Sequence, residues 1–396
     1  MRKYLKLSLF VLMAVALVST CAIGCGGSKE TATKEPYVIG AIFSTSGVSA
    51  SLGVSEANTV NMIVDKINKD GGINGHNLSV IIRDDGSLPD TTATLATNLI
   101  EQNQVLAIIG PTTTGETTAI MNISTDAEIP LVSCAAGAAI IDPVKYWIFK
   151  TPQTDKQAVV EIYRYLQSQN ISKVAIITST SGFGASGKGY LESEAAAYGI
   201  TLVDNQRFDS TDTSMTSQLT HIQGTDAQVV VCWDTDKASA VVAQNMKTLG
   251  MSIPLYCSHG IATPAFITEA GDAANGVIFP AGKLLILDSL STTDPQKTVL
   301  ATYKSDYLAK YDVSTLSTFG GHAYDALWMV VDSLKGMPEG LNLSASRAAI
   351  RDGLEQTTDF IGISGIFTMS PTDHLGMQPG SLALIEIVNG AWTPVQ

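Results

Sequence analysis

The feature that most constrains this chain is a rhythm that runs through it twice, short β-branched apolar runs alternating with longer amphipathic stretches from Tyr37 onward. The first series predicts strands at 37–43, 78–83, 105–110 and 129–134, with helices at 56–69, 91–103 and 115–126 between them. The second predicts strands at 173–179, 200–204, 227–233, 253–257 and 276–280, with helices at 157–169, 187–198, 213–223 and 236–249. Helical crossovers join parallel strands, and near-continuous apolar runs belong to strands covered by helices on both faces. The expected fold is α/β, two Rossmann-like lobes with parallel sheets. After 281 the order changes to helices at 294–311, 321–335 and 345–356, then strands near 363–368 and 381–388. A chain that leaves one lobe, completes another and returns must cross repeatedly, and three hinge crossings are expected near 152–156, 281–286 and 366–371. That assigns 37–153 plus 284–367 to lobe 1 and 154–283 plus 368–396 to lobe 2. Ligands of open α/β sheets bind beyond the carboxyl ends of the strands, so two such lobes would face each other across a cleft.

The first residues read as an address. Arg2, Lys3 and Lys6 precede the apolar run Leu7 to Val18, which falls short of the ~20 residues of a membrane span and suits a secretory signal. Ala22-Ile23-Gly24-Cys25 resembles a bacterial lipobox, although Ala22 stands where Leu is commoner. The resemblance implies a signal peptide over 1–24, lipidation of Cys25 and a flexible tether over 25–36. An exported protein on the extracytoplasmic face, held to the membrane by its lipid, is expected. With 24 Lys+Arg against 37 Asp+Glu the chain is acidic, net −13, so nucleic acid is not an expected partner. Beyond Cys21 and Cys25 the cysteines are Cys134, Cys232 and Cys257, an odd number that suggests no disulfide framework. A bridge between Cys232 and Cys257, on strands expected to be neighbours, stays open.

Several motifs tempt toward an enzyme. Gly182-Phe183-Gly184-Ala185-Ser186-Gly187 follows a predicted strand and opens a helix, and Asp204 ends the next strand, as in a dinucleotide fingerprint. Nicotinamide and flavin nucleotides are not expected outside the membrane, so a Gly-rich turn is the blander reading and an exported nucleotide-dependent enzyme the alternative. The same stretch begins a phosphate loop through Lys188, but Gly189 replaces the Ser or Thr that would reach magnesium. The histidines lack ligand spacing and the cysteines lack C-x-x-C, so neither metal nor cofactor is expected. Asp84-Asp85 before Gly86 reads as a turn rather than as a pair of catalytic acids.

Other motifs point to binding. Gly110-Pro111-Thr112-Thr113-Thr114-Gly115 ends a buried strand and begins a helix, placing hydroxyls and free backbone N–H groups where a carboxylate can sit. Ser133-Cys134-Ala135-Ala136-Gly137, past the next strand, is small enough for a ligand to approach the backbone. With Ile39 to Gly47, Ile67 to Gly75, Asp84-Asp85-Gly86, Ile129 to Ser133 and Tyr324-Asp325-Ala326, these stretches resemble the leucine/isoleucine/valine-binding family of ABC-transporter receptors, with the type I periplasmic binding fold.

The resemblance implies a monomeric, non-enzymatic receptor that closes on a small solute and passes it to membrane permease subunits. A branched-chain or other apolar amino acid is the first expectation. It places the solute's carboxylate on Thr114, Ala135 and Gly137, with Gly137 in place of a usual Thr. Phe183 and Trp233 would close over the solute, and Leu52, Thr112, Thr113 and Phe319 would touch its side chain. His259 falls where the family holds the ligand's ammonium with an acid, and a neutral imidazole cannot supply that charge. An aromatic or aliphatic carboxylate lacking an amine is therefore the alternative ligand. A sensory domain built on the same lobes is a third reading.

Overall fold

Two sheets, both largely parallel, organise the chain. The computed structural model describes residues 34–395; Cys25, the signal segment and most of the tether lie outside the described residues. The first sheet holds β1 (Lys34–Phe43), β2 (His76–Asp84), β3 (Ile108–Ile109), β4 (Leu131–Ser133) and β5 (Ile148–Lys150), in spatial order β2-β1-β3-β4-β5. Its crossovers carry α1 (Ala50–Lys69), α2 (Pro89–Glu101) and α3 (Thr114–Asp126). The chain then passes through 151–154 to α4 (Asp155–Ser168) and a second series. That series is β6 (Lys173–Ser179), α5 (Gly182–Glu194), β7 (Thr201–Phe208), α6 (Thr216–Gln223), β8 (Val229–Trp233), α7 (Asp236–Thr248), β9 (Leu255–Cys257), α8 (Pro264–Ala270) and β10 (Ile278–Gly282).

The last third returns. α9 (Lys297–Leu308), α10 (Thr318–Gly336) and α11 (Leu343–Glu355) precede a small hairpin of β11 (Phe360–Ile361) and β12 (Ile366–Phe367). Apolar residues of α10 such as Ala323, Leu327 and Val330 share one core with Val60, Ile63 and Ile67 of α1 and Ile39 and Phe43 of β1. β13 (Leu382–Val388) and β14 (Ala391–Pro394) then join the second sheet antiparallel at its edge, giving the order β14-β13-β10-β9-β8-β6-β7. Lobe 1 below means the first sheet with the helices packed on it, and lobe 2 the second sheet with its helices. From Pro36 onward both belong to one compact unit.

Local sequence explains most of these elements. Every residue of β8 is buried, as a central strand covered on both faces requires. α1 buries Leu52, Val60, Ile63 and Ile67, spaced to share a face. α4 starts at the crossing because Thr154 and Gln157 form a reciprocal capping box, each accepting from the other's backbone N–H. α5 begins at Gly182, earlier than the 187 that the glycines suggest from their poor helix propensity, because Ser181 caps it by accepting from the Gly184 N–H. β5, α8 and β14 escape the sequence pattern, since three to seven residues are too few to show a period. Cys232 and Cys257 are register partners on β8 and β9, yet both are free and buried, as is Cys134.

Candidate functional site

The site grows from the carboxyl ends of β3 and β4. At Gly110 the backbone turns with φ of 86°, and a Cβ would stand 2.2 Å from the Ile42 carbonyl oxygen, so only glycine fits. The chain then presents Thr112, Thr113 and Thr114 as it enters α3. Thr112 is fully engaged: its hydroxyl donates to Glu56 and accepts from the Ser44 N–H at 3.0 Å. Thr113 stands at the N-cap and donates to Glu116, without capping the backbone. Thr114 Oγ1 accepts from the Gly137 N–H at 3.1 Å, which leaves its own proton to donate. The first-turn N–H groups of α3 have no partner within the helix and carry the positive end of its dipole.

Lobe 2 brings a second helix start to the same place. A Cβ on Gly182, the first residue of α5, would lie 2.9 Å from the Gly115 backbone nitrogen, so the amino ends of α3 and α5 nearly touch across the cleft. The glycine motif finds its explanation here. A side chain at Gly182 would hold the lobes apart, one at Gly184 would strike Ser179 and one at Gly187 would strike the Trp233 ring. Asp204, the acid of the supposed fingerprint, accepts from Asn205 and Gln206 and pairs with His221 at 2.7 Å.

Between the lobes lies a narrow cavity of about 20 Å³, room for about one water. It is lined by Leu52, Thr112, Thr113, Thr114, Phe183, His259 and Phe319, seven of the ten ligand-site residues expected from sequence. Ala135, Gly137 and Trp233 do not line it. The Ala135 N–H donates to Ser133 Oγ at 3.0 Å, and Ala136 takes the place on the wall. Gly137 supports Thr114 from behind; a Cβ there would lie 2.4 Å from Thr114 Cγ2, which explains why the Thr implied by the resemblance is absent. Trp233 is fully buried one layer back, its ring centroid 6.0 Å from Phe183 and 5.8 Å from His259.

The wall also contains residues that sequence reasoning missed: Cys134, Ala136, Pro152, Thr235, Gly260 and His322. Cys134, Ala136 and Thr235 follow strand ends, where the rule for open α/β sheets points. Pro152 sits at the first crossing. His322 carries no local signal; it reaches the wall because α10 returns to lobe 1. Its Nδ1 bonds Ser364 Oγ at 2.8 Å, on a loop held by Asp325, which accepts from the Ile363 and Ser364 N–H groups at 2.7 and 2.8 Å. Asp84-Asp85 likewise ties loops together: Asp84 accepts from the Thr45, Ser46 and Gly86 N–H groups, and Asp85 from Ser44 and Ser87.

The electrostatics are those of a dry seam. Burial holds His259 and His322 neutral, each pushed down to about 3. Burial also raises Glu56 well above the carboxylate range, with Asp85 adding repulsion and the Thr112 bond opposing. At the bottom, Lys150 donates to the Ala136 and Gln153 carbonyls at 2.7 and 3.1 Å; burial lowers its pKa and raises that of Asp155, while their attraction opposes both shifts. Cys134 stands on the wall near two imidazoles, but burial and the charge of Glu56 raise its pKa, so it stays a thiol rather than a nucleophilic thiolate. Among the described residues no group of three His, Cys, Asp or Glu could hold a metal, and no helix is long and apolar enough to cross a membrane.

Known proteins share this architecture. The family model described as periplasmic binding protein matches residues 36–391. The Leu/Ile/Val-binding protein BraC3 of Rhizobium johnstonii is 25% identical over 351 residues, 87% of this chain and 90% of that one. An extracellular ligand-binding receptor from Rhodopseudomonas palustris HaA2 superposes with a TM-score of 0.85 at 26% identity, covering 91% of this chain and 99% of the other. The branched-chain amino acid transporter substrate binding protein LivJ of Streptococcus pneumoniae, solved in complex with isoleucine, gives 0.79 at 27% identity, with coverage of 91% and 99%.

Proposed function

The chain belongs to the periplasmic binding protein family, in its leucine/isoleucine/valine-binding branch, and on that premise we propose that it is the substrate-binding lipoprotein of an ABC importer. It captures a small solute with a carboxylate and an apolar body, outside the membrane, and delivers it to permease subunits without chemical change. Cys25 carries the lipid, and the mature chain acts as a monomer. The relatives bind Leu, Ile and Val by name, so a branched-chain or other apolar amino acid is the first class of solute. A second class, an aromatic or aliphatic acid without an amine, is favoured by one observation, the uncharged His259 on the wall.

The observation that carries the proposal is the meeting of two helix amino ends at one narrow cavity, beside the free hydroxyl proton of Thr114. Peptide dipoles and N–H donors aimed at one point stabilise an anionic head group. Leu52, Phe183 and Phe319 offer the remainder of a solute an apolar surface. A body larger than a water cannot enter about 20 Å³ without separating the walls, so binding is coupled to rotation of one lobe against the other at the crossings. Those crossings follow the divisions after 153 and near 283 and 368.

The experiment is a thermal-shift and calorimetric screen of the mature chain against apolar amino acids and aromatic and aliphatic acids. Carboxylates are expected to raise Tm and their alcohol analogues are not. Thr114→Ala should weaken the best carboxylate by ~1–3 kcal/mol through the lost charge-assisted bond. Unchanged affinity in that variant would remove Thr114 from the site, and turnover of any solute would refute a binding-only role.

A further inference from the structure

We propose that the solute carries, beside its carboxylate, an uncharged oxygen where an amino acid carries its ammonium, and that His259 reads that oxygen. The solute is then an apolar 2-hydroxy or 2-oxo acid. The inference rests on the carboxylate reading above and deepens it.

His259 lines the cavity and is 3% exposed, yet neither Nδ1 nor Nε2 has a hydrogen-bond partner among the described residues. Buried polar atoms are normally paired, so an imidazole left with both functions open on a cavity wall points to a partner that arrives with the solute. Neither ring packed on it bonds it. Phe183 and Trp233 stand edge-on to it at 5.2 and 5.8 Å, and they fix the ring plane without offering an acceptor. The single turn that His259 opens is held in place by the residue before it, since Ser258 donates to the Asp234 carbonyl at 2.7 Å and accepts from the Gly260 N–H at 3.0 Å.

An ammonium would fare badly here. It brings three donors and a full charge into a dry seam, and needs a carboxylate or several acceptors to replace its water. No Asp or Glu lines the cavity. The buried acids nearby, Glu56, Asp234 and Asp236, lie outside the lining, and burial favours the neutral form of each. The ammonium of Lys150, beneath Ala136, already disfavours positive charge at both His259 and His322. A neutral imidazole has one donor and one acceptor. A hydroxyl complements either, and a keto oxygen complements the donor.

Two matched series test this on the mature chain by titration calorimetry. One is L-leucine, 2-hydroxy-4-methylpentanoate, 4-methyl-2-oxopentanoate and 4-methylpentanoate, with leucinol as the control lacking a carboxylate. The other is L-phenylalanine, 3-phenyllactate, phenylpyruvate and 3-phenylpropanoate. The oxygen-bearing acid of the better series is expected to bind at least about tenfold more tightly than its amino acid, a ratio readily resolved. His259→Asp should move that ratio toward the amino acid, and His259→Gln, neutral with a donor and an acceptor, should keep the wild-type order. If His259→Asp does not melt cooperatively, the wild-type order and His259→Gln still decide. An amino acid bound more tightly than its oxygen analogue overturns the inference and leaves the carboxylate reading standing. Binding of leucinol as tight as that of the acids, or no binding in either series, overturns the carboxylate reading itself.

Discussion

The two walls of the cavity are made of different chemistry. Lobe 1 contributes three threonines and the amino end of α3, with the hydroxyls of Thr112 and Thr113 already committed to Glu56 and Glu116, together with Leu52 of α1 and Phe319 and His322 of α10. Lobe 2 contributes rings: Phe183 on the wall, Trp233 behind it and His259 edge-on to both. On the proposed reading the first wall meets the charged head group through peptide groups, and the second covers the apolar body with rings, one of which, His259, is left unpaired. In that reading the charged contact falls on the lobe where hydrogen bonds already hold the loops.

Three measurements break or sharpen that contrast. The largest effect is expected from Trp233→Ala, which empties a fully buried site against Gly187 and should lower folding stability by ~3–5 kcal/mol in denaturant titration. A loss of affinity with unchanged stability would instead make Trp233 a direct contact of the solute. Next comes Gly182→Val, whose side chain would meet the Gly115 backbone and keep the helix ends apart. Solute affinity should fall by at least tenfold, about 1.4 kcal/mol, with a smaller change in the ligand-free Tm. Equal affinity would mean that the two helix ends need not meet.

The third measurement concerns a bond between the lobes. Ser51, in α1, donates to Asp236 at the start of α7 at 2.6 Å, and Thr263 donates to the same oxygen. Burial raises Asp236 to about 7, with the Ser51 and Thr263 bonds opposing. The unfolded carboxyl titrates near 3.9. Between those values the folded chain holds a proton that the unfolded chain has released, so this contribution to stability is present at low pH and lost as pH rises toward 7. His259 and His322, lowered to about 3, act in the opposite sense and gain stability as pH rises toward 6.5. Comparison with Asp236→Asn cancels them. Tm of the wild type relative to that variant should fall as pH rises from 4 to 8, and a gap independent of pH would show that Asp236 stays charged in the closed form.

Much of this was legible in the residue order. Strand 173–179 is where the pattern places it, and α3 starts within a residue of its expected position, because β-branched runs and helix entry are local matters. The Thr-rich turn was legible as a helix entry for the same reason. Other features were invisible. GxGxxG is the same string whether it cradles a pyrophosphate or lets two helices and an indole approach, and only the atoms that meet Gly182, Gly184 and Gly187 distinguish these. His322 gave no signal because it lies on one helix among many, far in sequence from Thr114.

By itself, the sequence determined the alternation of elements, the Thr-rich helix entry and the acidic balance, since periodicity, helix entry and charge depend on neighbours within a few residues. The tertiary structure decided which side chains share the cavity, that Trp233 stands behind Phe183, that Gly137 must lack a side chain and that His259 is left unpaired. Those outcomes depend on packing between segments separated by tens to hundreds of residues, where burial removes water and makes the presence or absence of a partner decisive.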